Sequence, residues 1–452
     1  MKHFLTFVGL GLLSASSLLF AGSEAENSSE TTAPAQSLQQ IFVAAMKANP
    51  ALQIARSQLS IGRAQRSQAT AQLLPQISAT GNFSENEQSF PDGESGDSEF
   101  DGEKYNLQLQ QVLFNWQAFA NRKRASYVVD QKEAEYYDRL GIMLLDTADR
   151  YFSVLAAQDN KALVQAEREA TDQQLKQAES RYQRKLIKIT ELYEVRARAA
   201  TIRSNEIDAE NEFALAKESL WELSGEEISA LYRLDEHTVF ADVNGDINTW
   251  VTRALSGNAQ LSARDSAINA ARQTISERRG AHYPVVTLVA SRQKSDLGYE
   301  NTASPKRQIT YYGVDVSIPI FSGGSTSARV REAYHMAEIA RSEHEQVRRE
   351  VVRRTRAAYL STKSSLKRID SAKTAVDAAT QSALAMARGF QLGTVTMIDV
   401  LDSLQQEFRA QRDLQQAKYN YIQSILSLKK EAGTIAKADI EEINSWLIPP
   451  SN

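Results

Sequence analysis

The stretch GFQLGTVTMIDVLDS, residues 389–403, has a counterpart 208 residues earlier in RYQRKLIKITELYEV, residues 181–195. In each, an aromatic residue (Phe390, Tyr182) precedes a threonine step, and two acids then stand three apart: Asp399 and Asp402, Glu191 and Glu194. Both read as a bend between two helices. The correspondence continues outward. Pro75 and Pro284 are 209 residues apart, Phe114 and Phe321 are 207, and Tyr151 and Tyr359 are 208. One spacing that keeps strands, turns and helices in step is the mark of a duplicated architecture.

Each copy has the same order: a helix ending at a proline, a strand, a polar loop, a second strand, a very long helix, the bend and a return helix. The first repeat is expected over 37–223, with a β-hairpin at 75–114, a long helix at 116–181 and a return helix at 192–223. The second is expected over 259–432, with a β-hairpin at 284–320, a long helix at 325–388 and a return helix at 397–431. Leading helices at about 50–73 and 259–281 would stack end to end with the return helices and together match a long one. Residues 224–258 and 433–452 would then form an equatorial belt where the stacked ends meet. No proline and hardly a glycine interrupts the long helices, and apolar positions step by three and four: Leu140, Leu144, Ala148, Tyr151 and Leu155 in one, Leu366, Ile369, Ala372, Val376, Ala379 and Ala383 in the other. At ~1.5 Å per residue each reaches about 95 Å, roughly three hydrocarbon cores, so they stand in water.

The strands alternate. Tyr105, Leu107 and Leu109 oppose Asn106, Gln108 and Gln110; Tyr312, Val314, Val316 and Ile318 oppose Tyr311, Gly313, Asp315 and Ser317. Period two over about ten residues fits a transmembrane barrel strand, and equally a soluble sheet with one wet face. An N-terminal MKHFLTFVGLGLLSASSLLFAGSEAE, with Lys2, an apolar run and small residues, reads as a signal peptide over 1–25, cleaved after Ala21 or Ala25 and followed by a disordered 26–36. Export and the pairing of strands with long helices favour the barrel. Four strands cannot close one, since known single-chain barrels begin at about eight, and bare sheet edges in lipid cost several kcal/mol per unpaired group. A barrel must therefore be shared between copies of the chain.

Composition excludes much else. Lys+Arg is 52 against Asp+Glu 56, which leaves no nucleic-acid footprint. There is no cysteine, hence no disulfide, no thiolate metal site and no lipid-bearing cysteine; the five histidines are scattered, so no metal site is expected. Neither a P-loop nor, outside the signal segment, a Gly-x-Gly-x-x-Gly is present, and no catalytic constellation or cofactor site is expected. FSGGSTSAR (321–329) reads as a strand-to-helix turn with a cap, and the acid-interleaved VRREVVRRTR (347–356) as a solvated helix face. That leaves Asp399 and Asp402. Thr396-x-x-Asp399 is a capping box, but capping accounts less well for Asp402. In a symmetric oligomer each inward acid becomes a ring that selects cations.

These residues resemble the TolC family of outer-membrane channel proteins over about 37–435, most sharply in LGTVTMIDVLDSLQQEFRAQRDLQQAKYNYIQSILSLKKEAG (392–433), in VSIPIFSGG and in the twofold repeat. The resemblance implies a mainly α fold with a small β part: a homotrimer whose four strands per chain build one twelve-stranded outer-membrane barrel, continued by a periplasmic α-barrel of helical hairpins. It implies that Asp399 and Asp402 line the entrance constriction, that Thr190 and Glu191 hold the neighbouring coiled coil closed, and that Phe390 is an aromatic gate position. It places Lys185, Leu186, Gly393 and Thr394 at the tips that meet a periplasmic adaptor (membrane fusion protein) working with an inner-membrane ABC or RND transporter. Val395 stands where an arginine makes a locking contact in the family, and Lys185 where the first repeat usually has glycine, so different closing contacts are expected. The expected function is a non-enzymatic exit duct through outer-membrane lipid for type I protein secretion, with small-molecule efflux as the alternative. The rival from another class is a soluble periplasmic coiled-coil adaptor or scaffold, which should show one hairpin rather than two with matched strand pairs.

Overall fold

A computed structural model describes residues 35–89, 98–298 and 301–450. The signal segment, both cleavage points and nearly all of the tail expected at 26–36 lie outside the described residues, as does the middle of the first hairpin loop. In chain order the elements are α1 (Leu38–Ala48), α2 (Pro50–Ala71), β1 (Gln76–Gln88), β2 (Ser98–Phe114), α3 (Trp116–Gln183), α4 (Ile189–Ser224), β3 (Arg233–Leu234), α5 (Ile247–Gly257), α6 (Ala259–Gly280), β4 (Val285–Leu297), β5 (Ala303–Ser317), α7 (Ser325–Leu392), α8 (Met397–Glu431), α9 (Lys437–Asn444) and β6 (Leu447–Ile448).

The duplication is visible element by element. Helices α3 and α7 have 68 residues each, α2 and α6 have 22, and α1 and α5 have 11. Local chemistry repeats with them. Asn49 caps α2 through the Leu52 amide, and Asn258 caps α6 through the amides of Gln260 and Leu261. Each side-chain oxygen satisfies a helix-end N–H that has no intrahelical partner.

The structure differs from the sequence reading at the ends of elements and in the belt. Helix α3 runs to Gln183 rather than 181, α7 to Leu392 rather than 388, and α4 begins at Ile189 rather than 192. The strands are longer at their loop ends than their alternation suggested. The segments at 224–258 and 433–452 hold α5, α9 and a short antiparallel β3–β6 ladder, Arg233 opposite Ile448 and Leu234 opposite Leu447.

Helix α3 is the spine. It packs against α2 and α6 towards the strands and against α4 and α8 towards the bends, while α7 lies against α5, α6 and α8. The main core sits midway, where α1 and α9 press on α3. Tyr151, Phe152, Leu155, Leu220, Ile422 and Leu426 are buried there, and the Tyr151 hydroxyl donates to the Tyr232 carbonyl at 2.9 Å. The second-repeat Tyr359 does the same more loosely, donating to the Gly245 carbonyl at 3.4 Å. Of the α7 stripe, Ile369 and Ala383 are buried but Ala372, Val376 and Ala379 are only half covered within one chain.

The strands form one antiparallel sheet in the order β1-β2-β4-β5, so the hairpins of the two repeats join through β2 and β4. Strands β1 and β5 each pair on one side only. Register puts Ile77, Leu109, Ala290 and Tyr312 in one row and Ser78, Gln108, Ser291 and Tyr311 in the next, which faces the other way. The sheet thus has an apolar face with Leu107, Leu288, Val314 and Val316, and a face dominated by Gln76, Ser78, Thr80, Asn106, Gln108 and Gln293. No described helix is long and apolar enough to cross a membrane.

Candidate functional site

The two bends are one turn made twice. Helix α3 ends with Leu186 N–H donating to the Arg181 carbonyl at 2.9 Å and Lys185 N–H to Tyr182 at 2.8 Å; α7 ends with Thr394 N–H to Gly389 at 2.9 Å and Gly393 N–H to Phe390 at 3.1 Å. In both, a residue just past the helix, Lys185 two after Gln183 and Gly393 directly after Leu392, takes a left-handed backbone, φ 58° and 75°, as helix stop signals require.

The bends lie together. Ala178, Leu192 and Val195 from the first hairpin pack with Phe390, Met397, Val400 and Leu401 from the second in a small core of their own. Phe390, expected as a gate aromatic, is buried in this core, with the Arg181 guanidinium 4.0 Å from its ring centroid. A cation over an aromatic face is worth about 0.5–2 kcal/mol depending on desolvation.

Asp399 does what its spacing implies. It is the third residue of α8; its Oδ2 accepts from the Thr396 amide at 2.8 Å and the Thr396 hydroxyl at 2.7 Å, and its own N–H donates to Thr396 Oγ1 at 3.2 Å. The Thr396 hydroxyl, followed by its backbone N–H, holds this exposed carboxyl below the usual carboxylate range. Asp402, one turn on, is bound by Arg198 of α4, whose other terminal nitrogen donates to Gln405 Oε1 at 2.6 Å. Arg198 therefore bridges the two hairpins across about two hundred residues of chain. Sequence reading missed it because no local pattern marks a partner that distant. Asp402 faces a guanidinium within its own chain, so the two acids differ in character.

Thr190 is exposed and Glu191 half-buried in the first turn of α4. Lys188, at the N-cap, makes no side-chain cap there. Lys185, Leu186, Gly393 and Thr394 are all exposed at the tips, where Leu186 and Leu392 present apolar side chains to solvent. Val395 packs against the tip core. Among the described residues no group of His, Asp and Glu could hold a metal ion.

The comparisons with known proteins agree on the architecture. The family model described as outer membrane efflux protein matches twice, at residues 42–226 and 250–434. Outer membrane protein TolC of Escherichia coli strain K12 is 28% identical over 429 residues, which are 92% of this chain and 86% of that protein. The alkaline protease secretion protein AprF of Pseudomonas aeruginosa is 27% identical over 405 residues, 88% of this chain and 84% of that one. The crystal structure of the Campylobacter jejuni CmeC outer membrane channel superposes with a TM-score of 0.78 at 17% identity, covering 97% of this chain and 98% of that one.

Proposed function

The chain belongs to the outer membrane efflux protein family and is an outer-membrane protein whose helices extend into the periplasm, and on that premise we propose that three copies form the passive exit duct of a tripartite export machine. One observation carries the reading. A four-stranded sheet with one apolar face, one polar face and two open edges is mounted on helices about 100 Å long. Three such sheets, edge to edge, give twelve strands with lipid outside and water within, which satisfies every edge group that lipid would otherwise leave unpaired. The half-covered stripe of α7 is then the surface that meets a neighbouring copy.

In this reading an inner-membrane transporter and a periplasmic adaptor supply energy and contact. The exposed tips at Lys185, Leu186, Gly393 and Thr394 receive the adaptor, and Leu186 and Leu392 give it apolar anchors. The bends form the constriction. Asp399 and Asp402 stand at its mouth, with Thr190 and Glu191 opposite, and Arg198 closes the protomer by holding Asp402 and Gln405. The cargo is a polypeptide moved by a type I secretion system; AprF, named for alkaline protease secretion, supports this choice over small-molecule efflux.

The chain has no cysteine, so crosslinking is clean. Ser78→Cys on β1, combined in turn with single cysteines along β5 from Lys306 to Ser317 to find the stagger that tilted strands impose, should give covalent trimers on oxidation, recovered with the outer membrane; monomers in the soluble periplasm would sink the duct. Asp399→Ala with Asp402→Ala should weaken divalent-cation block of conductance in planar bilayers, and unchanged block would reduce both acids to helix structure. Deleting the gene should stop release of a large secreted protein while drug susceptibility stays unchanged; the reverse outcome would assign the duct to small molecules.

A further inference from the structure

The apolar face of the sheet carries two cations that the alternating pattern does not account for. Arg292 and Lys294 lie on β4 in the row parity of Leu288 and Ala290, opposite Leu107 and Tyr105 of β2 and opposite Thr310 and Gln308 of β5. Both side chains are exposed, whereas Thr287, Val289 and Ser295 on the other face of the same strand are buried. Neither cation pairs with a carboxylate among the described residues. Lys306, also on this face, differs, because Glu103 and Asp296 flank it at 4.0 Å each.

Their height has a meaning. Near the helical end of the sheet, Trp116 and Tyr283 meet edge to face with centroids 6.0 Å apart, an aromatic pair of the kind that marks a membrane interface. From Val285 to Lys294 a strand tilted by about 40° climbs roughly 23 Å, close to the ~25 Å apolar band of outer-membrane barrels. Lys294 therefore stands where hydrocarbon ends on the far side, and Arg292 can extend its side chain to the same level. Tyr105 and Phe83, edge to face at 5.5 Å, are the aromatics of that level.

Beside the cations the surface dips. Ala79, Gly81, Tyr105, Leu107 and Gln308 line a mainly apolar groove of about 470 Å³ with Arg292 and Lys294 at its rim. Gly81 adds no side chain to the groove; a Cβ there would meet Phe83 at 3.6 Å and Tyr105 at 3.8 Å, ordinary contact distances. An apolar trough below an unneutralised cationic rim matches an amphiphile with acyl chains below an anionic head.

We propose that Arg292 and Lys294, above the Gly81–Tyr105 groove, bind the phosphate-bearing headgroup of an outer-leaflet lipid. The site rests on the duct reading, which turns this face to lipid and the hairpin loops to the cell exterior. The full-length protein in a neutral detergent, titrated with bisphosphorylated lipid A and with the same lipid stripped of phosphate, tests it by native mass spectrometry. The phosphorylated lipid should bind at least tenfold more tightly, and Arg292→Gln with Lys294→Gln should abolish that preference while the oligomer persists in the same spectrum. Exchanging the cations, Arg292→Lys with Lys294→Arg, should keep it, as should Lys104→Gln on the polar face. Equal binding of the two lipids by the unaltered oligomer, or a preference surviving in the double glutamine variant, would overturn the site and leave the duct intact. Competition by millimolar inorganic phosphate would also overturn it, as a free-anion site. A wild-type chain that stays monomeric and soluble without detergent would remove the duct and the site together.

Discussion

The second bend is built from favourable parts and the first is not. At Gly393 the left-handed backbone carries no Cβ, and α8 restarts from the reciprocal Thr396–Asp399 cap. At Lys185 the same backbone carries a full side chain, which costs about 1–2 kcal/mol, and α4 restarts from an uncapped Lys188. Duplication kept the path of the chain and let its stabilisation diverge. The first bend is the weaker of the two, and the contacts Arg181–Phe390 and Arg198–Asp402 tie it to the stronger one.

The largest expected effect concerns divergence further up the first hairpin. Asp149 of α3 is matched 208 residues on by Ala357, so only the first repeat buries an acid here. Burial, then the nearby Asp146, raises its pKa from 3.8 to about 6, and its Oδ1 is buried with no hydrogen-bond partner. The folded protein thus holds a proton that the unfolded chain has lost, so stability is full below about pH 4 and falls as pH rises towards and through 6. Discounted for partial exposure, the loss is about 2 kcal/mol. Asp149→Asn should flatten the melting temperature between pH 4 and 7 and raise it at the upper end; an unchanged pH profile would break this part of the comparison.

Next come the turns. Gly393→Lys makes the second bend like the first and should cost about 1–2 kcal/mol in denaturant unfolding, whereas Lys185→Gly should recover about 0.5–1 kcal/mol, the left-handed strain relieved less the backbone entropy that glycine loses. If both substitutions destabilise, the bends are not equivalent turns. Thr396→Ala, which removes the cap that the first bend lacks, should cost about 1 kcal/mol; hydrogen exchange should then speed up in the first turn of α8 and not in α4. The smallest change in stability belongs to Arg198→Ala, within about 1 kcal/mol for so exposed an ion pair. It should nonetheless raise single-channel conductance several-fold in planar bilayers, and unchanged conductance would leave Arg198 a surface contact.

What could be read in the sequence was what short-range periodicity encodes. The long helices were legible because nothing breaks a three-four apolar step for more than sixty residues, and the strands because alternation needs only a few residues. The Asp399 cap was legible because its partner is three residues away. Helices α1, α5 and α9 were not resolved, being 11, 11 and 8 residues long, too short for a pattern to separate them from loops. The burial of Phe390 and the Arg198–Asp402 bridge were illegible for the opposite reason, since both join different repeats and depend on how one hairpin lies against the other.

The equal length of α3 and α7 has a consequence for how such a chain can change over time. If seven residues entered α3 alone, its tip would move about 10 Å past that of α7, separating Arg181 from Phe390 and leaving Leu186 and Leu392 at different levels. Lineages can therefore lengthen or shorten this protein only by matched edits in both halves. The shared count of 68 residues works as a ruler, set to whatever gap the tips must reach.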